Sequence, residues 1–231
     1  MGFLTAAPVV VVFDVNETLS DMTPMADRFG DVGLPPAMAK LWFAALLRDG
    51  LAHAAAGYSA HFADVAEATL RSLMAGTPSD RGEDAAIDHV MQGFLGLGVH
   101  PDVPEGVREL RRAGLRLVAL TNGATSTAQR LLASAGIDQE FERLLSVDDA
   151  STWKPSRAAY EYAATVCATA PAQMVLVAVH PWDIHGGARA GLSTAWLNRD
   201  STPYPAHFAA PTMTAATLTE LVPLIIGASA S

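Results

Sequence analysis

The chain has 231 residues, 50% hydrophobic and 17% charged, so it can bury a large core and is neither disordered nor fibrous. Its formal net charge of −9 and the lack of any Lys/Arg run argue against nucleic acid or an anionic membrane as a partner. The single cysteine, Cys167, excludes an internal disulfide and a thiolate zinc site, which favours a reducing, cytoplasmic compartment.

The first predicted element is a buried strand over residues 9–13, which ends directly at the carboxylate of Asp14. The apolar opening before it has no basic segment and runs straight into polar residues, so we interpret it as part of the mature first strand rather than as a signal peptide. No stretch approaches the roughly 18 consecutive apolar residues that a membrane span requires.

A helical insertion is predicted next, because roughly 100 residues separate the first strand from the strand that ends at Thr121. Residues from about 22 to 97 contain helical patterns and no convincing strand. We therefore predict a helical cap domain over residues 22–97, inserted into a core domain of residues 1–21 and 98–231. Such a cap would lie over the carboxyl ends of the strands, where ligands bind in open α/β sheets.

Four further strands are predicted along the rest of the chain, at residues 115–123, 174–179, 193–199 and, more weakly, 212–216. Helical patterns lie between them. Near-continuous apolar strands that alternate with helices indicate a parallel sheet covered on both faces. The sequence therefore predicts an α/β fold with a doubly wound, Rossmann-like core.

Polar side chains follow three of these strands, and a lysine precedes the helix between the second and third. They are Asp14, Asn16 and Thr18, then Thr121 and Asn122, then His180 and Asp183, with Lys154 as the lysine. Singly, each has an ordinary structural explanation, such as a helix cap, a turn or a solvated charge. Because the carboxyl ends of parallel strands share one edge, we expect a lysine and two carboxylates to converge there.

Four segments carry a family resemblance: FDVNETL, LTNG, KPSRAAYEYA and WDIHGGARAG. In order and spacing they resemble the four motifs of the haloacid dehalogenase superfamily. The flanking residues are similar in detail to the type II L-2-haloacid dehalogenases, and the resemblance covers nearly the whole chain.

The resemblance implies a covalent mechanism in which Asp14 is the nucleophile and water cleaves the resulting intermediate. Lys154 would hold Asp14 ionised, and Asp183 would pair with Lys154 and help position the hydrolytic water. Thr18 would hydrogen-bond the nucleophilic carboxylate. A buried strand would then serve as a rigid mount for the nucleophile.

The resemblance also implies the substrate-binding residues. The substrate carboxylate would lie against Thr121 and the backbone amides after Asp14, at Val15 and Asn16. Asn122 and Trp182 would lie near the leaving group, and Tyr160, which matches a tyrosine of the dehalogenases, is either a substrate-binding or a core residue.

Two positions favour displacement at carbon over phosphoryl transfer. Phosphatases of the superfamily carry a second Asp two residues after the nucleophile, where this chain has Asn16, and an amide cannot protonate a leaving alkoxide. They also carry an Asp in the fourth motif, where this chain has Val179, so a Mg²⁺ shell would lack a hard oxygen ligand. We therefore predict no metal and no cofactor.

Other positions depart from the dehalogenases as well. Their cap carries an Arg that holds the departing halide, and the aligned residue here is Phe43, which leaves Lys40 or Arg48 as candidate replacements. His180 replaces an amide and is a candidate base for the hydrolytic water. An apolar pocket wall is predicted from the aromatic residues Trp42, Phe43, Tyr58, Phe62 and Trp182, although cap aromatics that only pack the cap are an equal alternative.

Together these observations predict a metal-independent, 2-haloacid dehalogenase-like hydrolase that displaces halide from a small 2-substituted carboxylate through an aspartyl ester on Asp14, and a different leaving group is left open. The alternatives are a Mg²⁺-dependent phosphatase and a catalytically silent, ligand-binding relative. Type II relatives are often dimers, so a homodimer is a further possibility.

Overall fold

The computed structural model describes residues 8–76 and 81–229. Within them, six strands form one parallel sheet in the order β3-β2-β1-β4-β5-β6. The strands are β1 (Val10–Phe13), β2 (Arg116–Thr121), β3 (Arg143–Ser146), β4 (Met174–Ala178), β5 (Ser193–Leu197) and β6 (Met213–Ala215). The apolar opening of the chain, residues 1–7, lies outside the described residues.

The helices on the two faces of the sheet confirm the predicted doubly wound core. They are α5 (Val103–Arg112), α6 (Thr125–Ser134), α7 (Val147–Ala150), α8 (Arg157–Val166), α9 (Pro181–Ala190) and α10 (Leu218–Ser229). In β1, Val11 and Phe13 pack into a cluster with α5, α6 and α10, whereas Val10 and Val12 pack with α8 and α9. Because β1 is buried on both faces, an uninterrupted apolar run is what this position requires.

Four helices between β1 and α5 form the inserted cap: α1 (Met25–Gly30), α2 (Met38–Ala55), α3 (Phe62–Met74) and α4 (Glu83–Leu95). They share one apolar cluster, which includes Trp42 and Phe94. An antiparallel bridge between Ser20 and Val99 joins the two ends of the insertion. The predicted helical cap is therefore confirmed, while its boundaries at 22 and 97 stay a prediction.

Strand β3 is an element that the sequence analysis did not predict. It has only four residues at the edge of the sheet, and its first residue, Arg143, is exposed, so it lacks the apolar run of a central strand. The other strands fall inside their predicted ranges and are shorter by one to three residues. No helix of the described part of the chain is both long and apolar enough to cross a membrane.

Candidate active site

Asp14 lies one residue beyond β1, at the carboxyl edge of the sheet. Its amide donates to the carbonyl oxygen of Val177 at 3.0 Å, which continues the pairing of β1 with β4. The chain then turns at once, because the amides of Leu19 and Ser20 both donate to the carbonyl oxygen of Val15. Asp14 is 4% exposed, so its carboxylate is held at the end of a buried strand by a tight turn.

Lys154 lies between two buried carboxylates. Its Nζ donates to Oδ1 of Asp14 at 2.8 Å and to Oδ2 of Asp183 at 2.7 Å, and neither Lys154 nor Asp183 is exposed to solvent. The three residues come from the position directly after β1, from the turn before α8 and from the first turn of α9. The fold thus brings together three charged residues that are up to 169 positions apart, and the ammonium group neutralises part of the buried negative charge.

The two carboxylates differ in proton affinity. Burial alone would raise the pKa of Asp14, but the charges of Lys154 and His180 and the hydrogen bond from Thr18 hold it below its usual value. Burial raises the pKa of Asp183, and the charge of Asp14 raises it further. The charge of Lys154 lowers this pKa, but not enough to return it to its usual value. Burial would lower the pKa of Lys154, yet the two carboxylates raise it. Asp14 is therefore the carboxylate that stays ionised to lower pH.

Thr18 connects the nucleophile loop to the end of β4. Its hydroxyl donates to Oδ2 of Asp14 at 2.6 Å and accepts from the backbone N–H of Val179 at 3.0 Å. Since the hydroxyl has one proton, the bond from Val179 fixes that proton toward Asp14. Both oxygens of Asp14 are thus hydrogen-bonded, one by Thr18 and one by Lys154.

Tyr160 contacts Asp183, and Asn122 contacts the backbone of Lys154. The Tyr160 hydroxyl, fully buried, donates to Oδ1 of Asp183 at 2.5 Å, and burial together with Asp183 raises the Tyr160 pKa well above its usual value. The Asn122 amide accepts from the backbone N–H of Lys154 at 2.9 Å and donates to its carbonyl oxygen at 3.3 Å. Both side chains hold a charged residue in place, and their predicted contact with substrate stays a prediction.

A histidine and a second acid lie on the other side of Asp14. Nε2 of His180 is 3.3 Å from the carbonyl oxygen of Asn16, 3.6 Å from Oε2 of Glu17 and 3.8 Å from Oδ2 of Asp14. Three acceptors around one ring nitrogen favour the tautomer with its proton on Nε2, which leaves Nδ1 as the basic nitrogen.

Glu17 is a site residue that the sequence analysis did not identify. Its backbone is left-handed, with a φ of 60°, which directs its carboxylate toward His180 rather than along the turn. Burial raises the pKa of Glu17, and the charge of His180 only partly opposes this. An acidic residue three positions after Asp14 in a tight turn was the available signal, but the turn conformation decides where it points.

Aromatic rings enclose the His180 imidazole. The Trp182 ring stacks on it at a centroid distance of 5.0 Å, and Phe43 from α2 stacks at 6.4 Å. Phe43 stands where the dehalogenase resemblance predicts an arginine, so in this chain an apolar ring takes that place against the histidine. The pair of rings restricts the orientation of the imidazole.

The predicted aromatic wall is only partly present. Phe43 and Phe62 each line a cavity, but Trp42 is fully buried within the cap, where its ring N–H donates to the carbonyl oxygen of Ala66. Tyr58 is 61% exposed and packs on His53, so the prediction that it forms part of the pocket wall was wrong. Trp42 supports the packing of the cap helices rather than a pocket.

Two cavities adjoin the nucleophile loop. The small cavity, about 130 Å³, is lined by Val15, Asn16, Phe62, Phe94 and Thr121. The large cavity, about 660 Å³, is lined near the nucleophile by Glu17, Phe43, Val179 and His180. The loop after Asp14 borders both cavities, because Val15 and Asn16 line the small one and Glu17 lines the large one beside His180, whose Nε2 is 3.8 Å from Oδ2 of Asp14.

The small cavity offers hydrogen-bond donors to an anion. Within the described residues, the backbone N–H groups of Val15 and Asn16 have no acceptor. The Asn16 side-chain nitrogen lies next to Gly123, near the Thr121 hydroxyl. Asp148, on the rim, is the acidic residue of this cavity, and its carboxylate is 3.5 Å from His61. The unpaired amides can bind a carboxylate of a small ligand.

The candidate replacements for the missing arginine differ in position. Lys40 lines the large cavity, whereas the side chain of Arg48 is 72% exposed and is bound to Asp49 on the surface. Residues 8–76 and 81–229 contain no group of three or more His, Cys, Asp or Glu side chains suited to a metal ion. The donors around Asp14 are an ammonium, a hydroxyl and an imidazole, which are poor ligands for Mg²⁺.

A parallel sheet with a buried carboxylate at its carboxyl edge, paired with a lysine and a second carboxylate under a helical cap, defines a capped hydrolase with a doubly wound core. The family model described as haloacid dehalogenase-like hydrolase matches residues 9–191. The chain therefore belongs to the haloacid dehalogenase-like hydrolases.

Curated relatives narrow the similarity. Haloacetate dehalogenase H-2 of Moraxella sp. (strain B) is 32% identical over 117 residues, which is 51% of this chain and 52% of that protein. The chain thus matches only about half the length of this relative. (S)-2-haloacid dehalogenase 2 of Pseudomonas sp. (strain CBS-3) is 27% identical over 223 residues, 95% of this chain and 96% of that protein.

Solved structures agree with the fold and with this similarity. A dehalogenase with an intermediate complex is 26% identical, with a TM-score of 0.88 over 96% of this chain and 98% of that one. The L-2-haloacid dehalogenase from Xanthobacter autotrophicus is 25% identical, with a TM-score of 0.84 over 95% of this chain and 99% of that one. The chain is thus similar to type II L-2-haloacid dehalogenases over nearly its whole length.

Proposed function

We propose that the protein is a metal-independent hydrolase that displaces halide from C2 of a small 2-halocarboxylic acid. The observation that carries this proposal is the buried Asp14, held ionised by Lys154 and Thr18 beside a small cavity with free amides. The curated relatives, which are 2-haloacid and haloacetate dehalogenases, support it.

In the first step, a carboxylate oxygen of Asp14 attacks C2 of the substrate, and the carbon–halogen bond breaks as the carbon–oxygen bond forms. The electron pair of the broken bond leaves with the halide. The amides of Val15 and Asn16, with the Thr121 hydroxyl, bind the substrate carboxylate. The lowered pKa of Asp14 keeps the nucleophile ionised, and halide departure requires no general acid.

In the second step, water attacks the carbonyl carbon of the Asp14 ester. His180 accepts the proton of that water, while Glu17 and the Asn16 carbonyl hold its ring in place. Lys154 and Thr18 stabilise the negative charge that develops on the Asp14 oxygens. The ester bond then breaks, the proton passes to the leaving oxygen, and a 2-hydroxy acid is released. Asp183, oriented by Tyr160, holds Lys154 and helps to position the water.

The magnesium-dependent phosphatase is not favoured as an alternative. Asn16 stands at the position of the phosphatase general acid, and its amide cannot donate the proton that an alkoxide needs. Val179 lines the large cavity at the position of a metal-binding carboxylate.

Halide release in EDTA from chloro-, bromo- and fluoro-substituted 2-alkanoates tests the proposal, with Asp14→Asn as the control. We expect release by the wild type and a loss of at least about 10³-fold in the variant, because no amide oxygen replaces an ionised nucleophile. No release from any substrate, or equal release by the variant, would overturn the proposal.

A single turnover in H₂¹⁸O, with enzyme in excess, tests the aspartyl ester itself. Because the first oxygen transferred comes from Asp14, the first product should be unlabelled and the ¹⁸O should appear in the peptide that contains Asp14. Label in the first product instead would indicate direct attack of water on C2.

A further inference from the structure

The large cavity is about five times the volume of the small cavity. It begins at Phe43 and His180 and extends between the cap and the carboxyl end of β5, at Trp196. A volume of about 660 Å³ is within the range of pockets that enclose whole organic ligands, and a halide or a methyl group would fill little of it. The cavity therefore has room for a group larger than the reacting groups of a two- or three-carbon acid.

The geometry of displacement indicates which part of the substrate lies there. In backside attack, the nucleophilic oxygen, C2 and the leaving group are collinear, and the other three substituents of C2 spread around that line. A carboxylate bound to the amides of Val15 and Asn16 would lie in the small cavity, which has about 130 Å³. The carbon substituent of C2 must then point elsewhere, and the large cavity begins at His180, whose Nε2 is 3.8 Å from Oδ2 of Asp14.

The chemistry of the cavity walls indicates an uncharged, apolar occupant. The cap contributes Met22, Met25, Ala26 and Phe43. The cationic Arg199 is already bound to both carboxylate oxygens of Asp102 and to the carbonyl oxygen of Thr18. The walls also carry Lys40, but three acidic side chains, Glu17, Asp21 and Asp200, outnumber it and would repel a second carboxylate.

We propose that the large cavity binds the C2 substituent, and that the preferred substrates are 2-halo acids with an extended apolar side chain. This inference rests on the proposed function, because it assigns the cavity to a substrate that reacts at Asp14. It adds a specificity site formed by α1 and α2 of the cap.

The first test compares kcat/KM for 2-bromopropanoate, 2-bromohexanoate and 2-bromooctanoate. Each buried methylene group contributes transfer free energy to transition-state binding, so kcat/KM should rise about threefold to fourfold per added CH₂ until the cavity is filled. A value that stays level or falls with chain length would overturn the assignment.

The second test narrows the cavity with Ala26→Phe, and the matched control is Ala44→Phe. Ala26 lines the cavity on α1, whereas Ala44 is exposed on α2 and lines neither cavity. The ratio of kcat/KM for 2-bromooctanoate to that for 2-bromopropanoate should fall at least about tenfold in Ala26→Phe and stay level in Ala44→Phe. No change in Ala26→Phe, or an equal fall in both variants, would contradict the proposal.

Binding to Asp14→Asn separates this inference from the proposed reaction. Calorimetry with 2-bromooctanoate and 2-bromopropanoate needs no turnover, so it remains informative even if no halide is released. Tighter binding of the longer acid, abolished by adding Ala26→Phe, would support the cavity assignment whatever reaction Asp14 performs. Equal binding of the two acids, or binding of neither, would overturn the assignment.

Discussion

The ammonium group of Lys154 is shared by two buried carboxylates, so its removal should affect both activity and stability. We expect Lys154→Met to lose halide release and to lower the free energy of unfolding by about 3–5 kcal/mol, because Asp14 and Asp183 would remain buried without a counter-charge. Urea denaturation at pH 7 measures the free energy of unfolding. Adding Asp183→Asn to Lys154→Met should recover part of the lost free energy of unfolding. A loss below about 1 kcal/mol in Lys154→Met alone would contradict the assignment of Lys154 as the counter-charge of both carboxylates.

His180 is expected to act on the ester rather than on the substrate. In His180→Ala, Asp14 keeps its bonds to Lys154 and Thr18, so the ester should still form, but its hydrolysis should slow by about 10²–10⁴-fold. Mass spectrometry of the enzyme mixed with substrate should then detect the acylated peptide containing Asp14. Glu17→Gln should give the same effect to a smaller extent. An unmodified Asp14 with slow halide release would instead place His180 in the first step.

The sequence allowed some of these residues to be predicted and not others. Asp14 and Asp183 follow the ends of β1 and β4, and Lys154 precedes α8 in the KPSRAAYEYA motif. In a parallel sheet, these positions lie at the same edge. Glu17 required knowledge of a left-handed residue within a turn, which no pattern in a single sequence provides. The stacking of Phe43 on His180 also depends on how the cap docks, and this is a tertiary property.

At the scale of elements, the close approach of α9 to α8 holds Asp183 in place. A Cβ atom at Gly186 would lie 2.5 Å from the Tyr160 hydroxyl and 2.6 Å from Pro155 Cβ. Gly186→Ala should therefore displace Tyr160 and, through it, Asp183, with a loss of about 1–3 kcal/mol in stability and at least about tenfold in kcat.

Gly187→Ala is the matched control for Gly186→Ala. Its added Cβ would meet Leu176 of β4 at 2.6 Å, away from Tyr160, so the stability cost should be similar while kcat falls less. Denaturation and halide-release assays on both variants make the comparison. Equal losses of kcat would show that general disturbance of α9, rather than the position of Tyr160, limits activity.

The elements that could be predicted are those long enough to show a period. Helices α2, α3 and α4 each span at least 13 residues and fall within residues 22–97, where helical patterns are predicted. Helix α1 has six residues and β3 has four, so neither contains enough repeats to be distinguished from a loop. The contacts of α1 and β3 with neighbouring elements, rather than a sequence period of their own, determine these two short elements.

At the scale of the whole molecule, the cap and the core share one apolar cluster. Trp153, directly before Lys154, packs among the cap residues, and its ring N–H donates to the carbonyl oxygen of Ala60 at 2.8 Å. Its ring also stacks on Phe62, which lines the small cavity. Trp153 therefore connects the cap to the segment that carries Lys154.

The pH dependence of the free energy of unfolding tests whether Glu17, the acid beside His180, destabilises the fold when it is ionised. Burial raises the pKa of Glu17 above its usual 4.5, so the folded protein binds that proton more tightly than the unfolded chain does. The resulting stabilisation is full below pH 4.5 and is lost as the pH rises through the raised pKa. The charges that face Glu17 are those of His180, Asp14, Lys40 and Asp200, and those of His180 and Lys40 oppose the effect.

Glu17→Gln removes this ionisation and keeps the size of the side chain. We expect the Tm of the variant to exceed that of the wild type at pH 7.5, and the difference to shrink as the pH is lowered toward 4.5. Thermal unfolding at several pH values measures it, with wild type and variant in the same buffers. A lower Tm at pH 7.5, or a difference that does not change with pH, would contradict the expectation. A more stable but slower enzyme would mean that Glu17 is retained at a cost in stability because it orients His180 for ester hydrolysis.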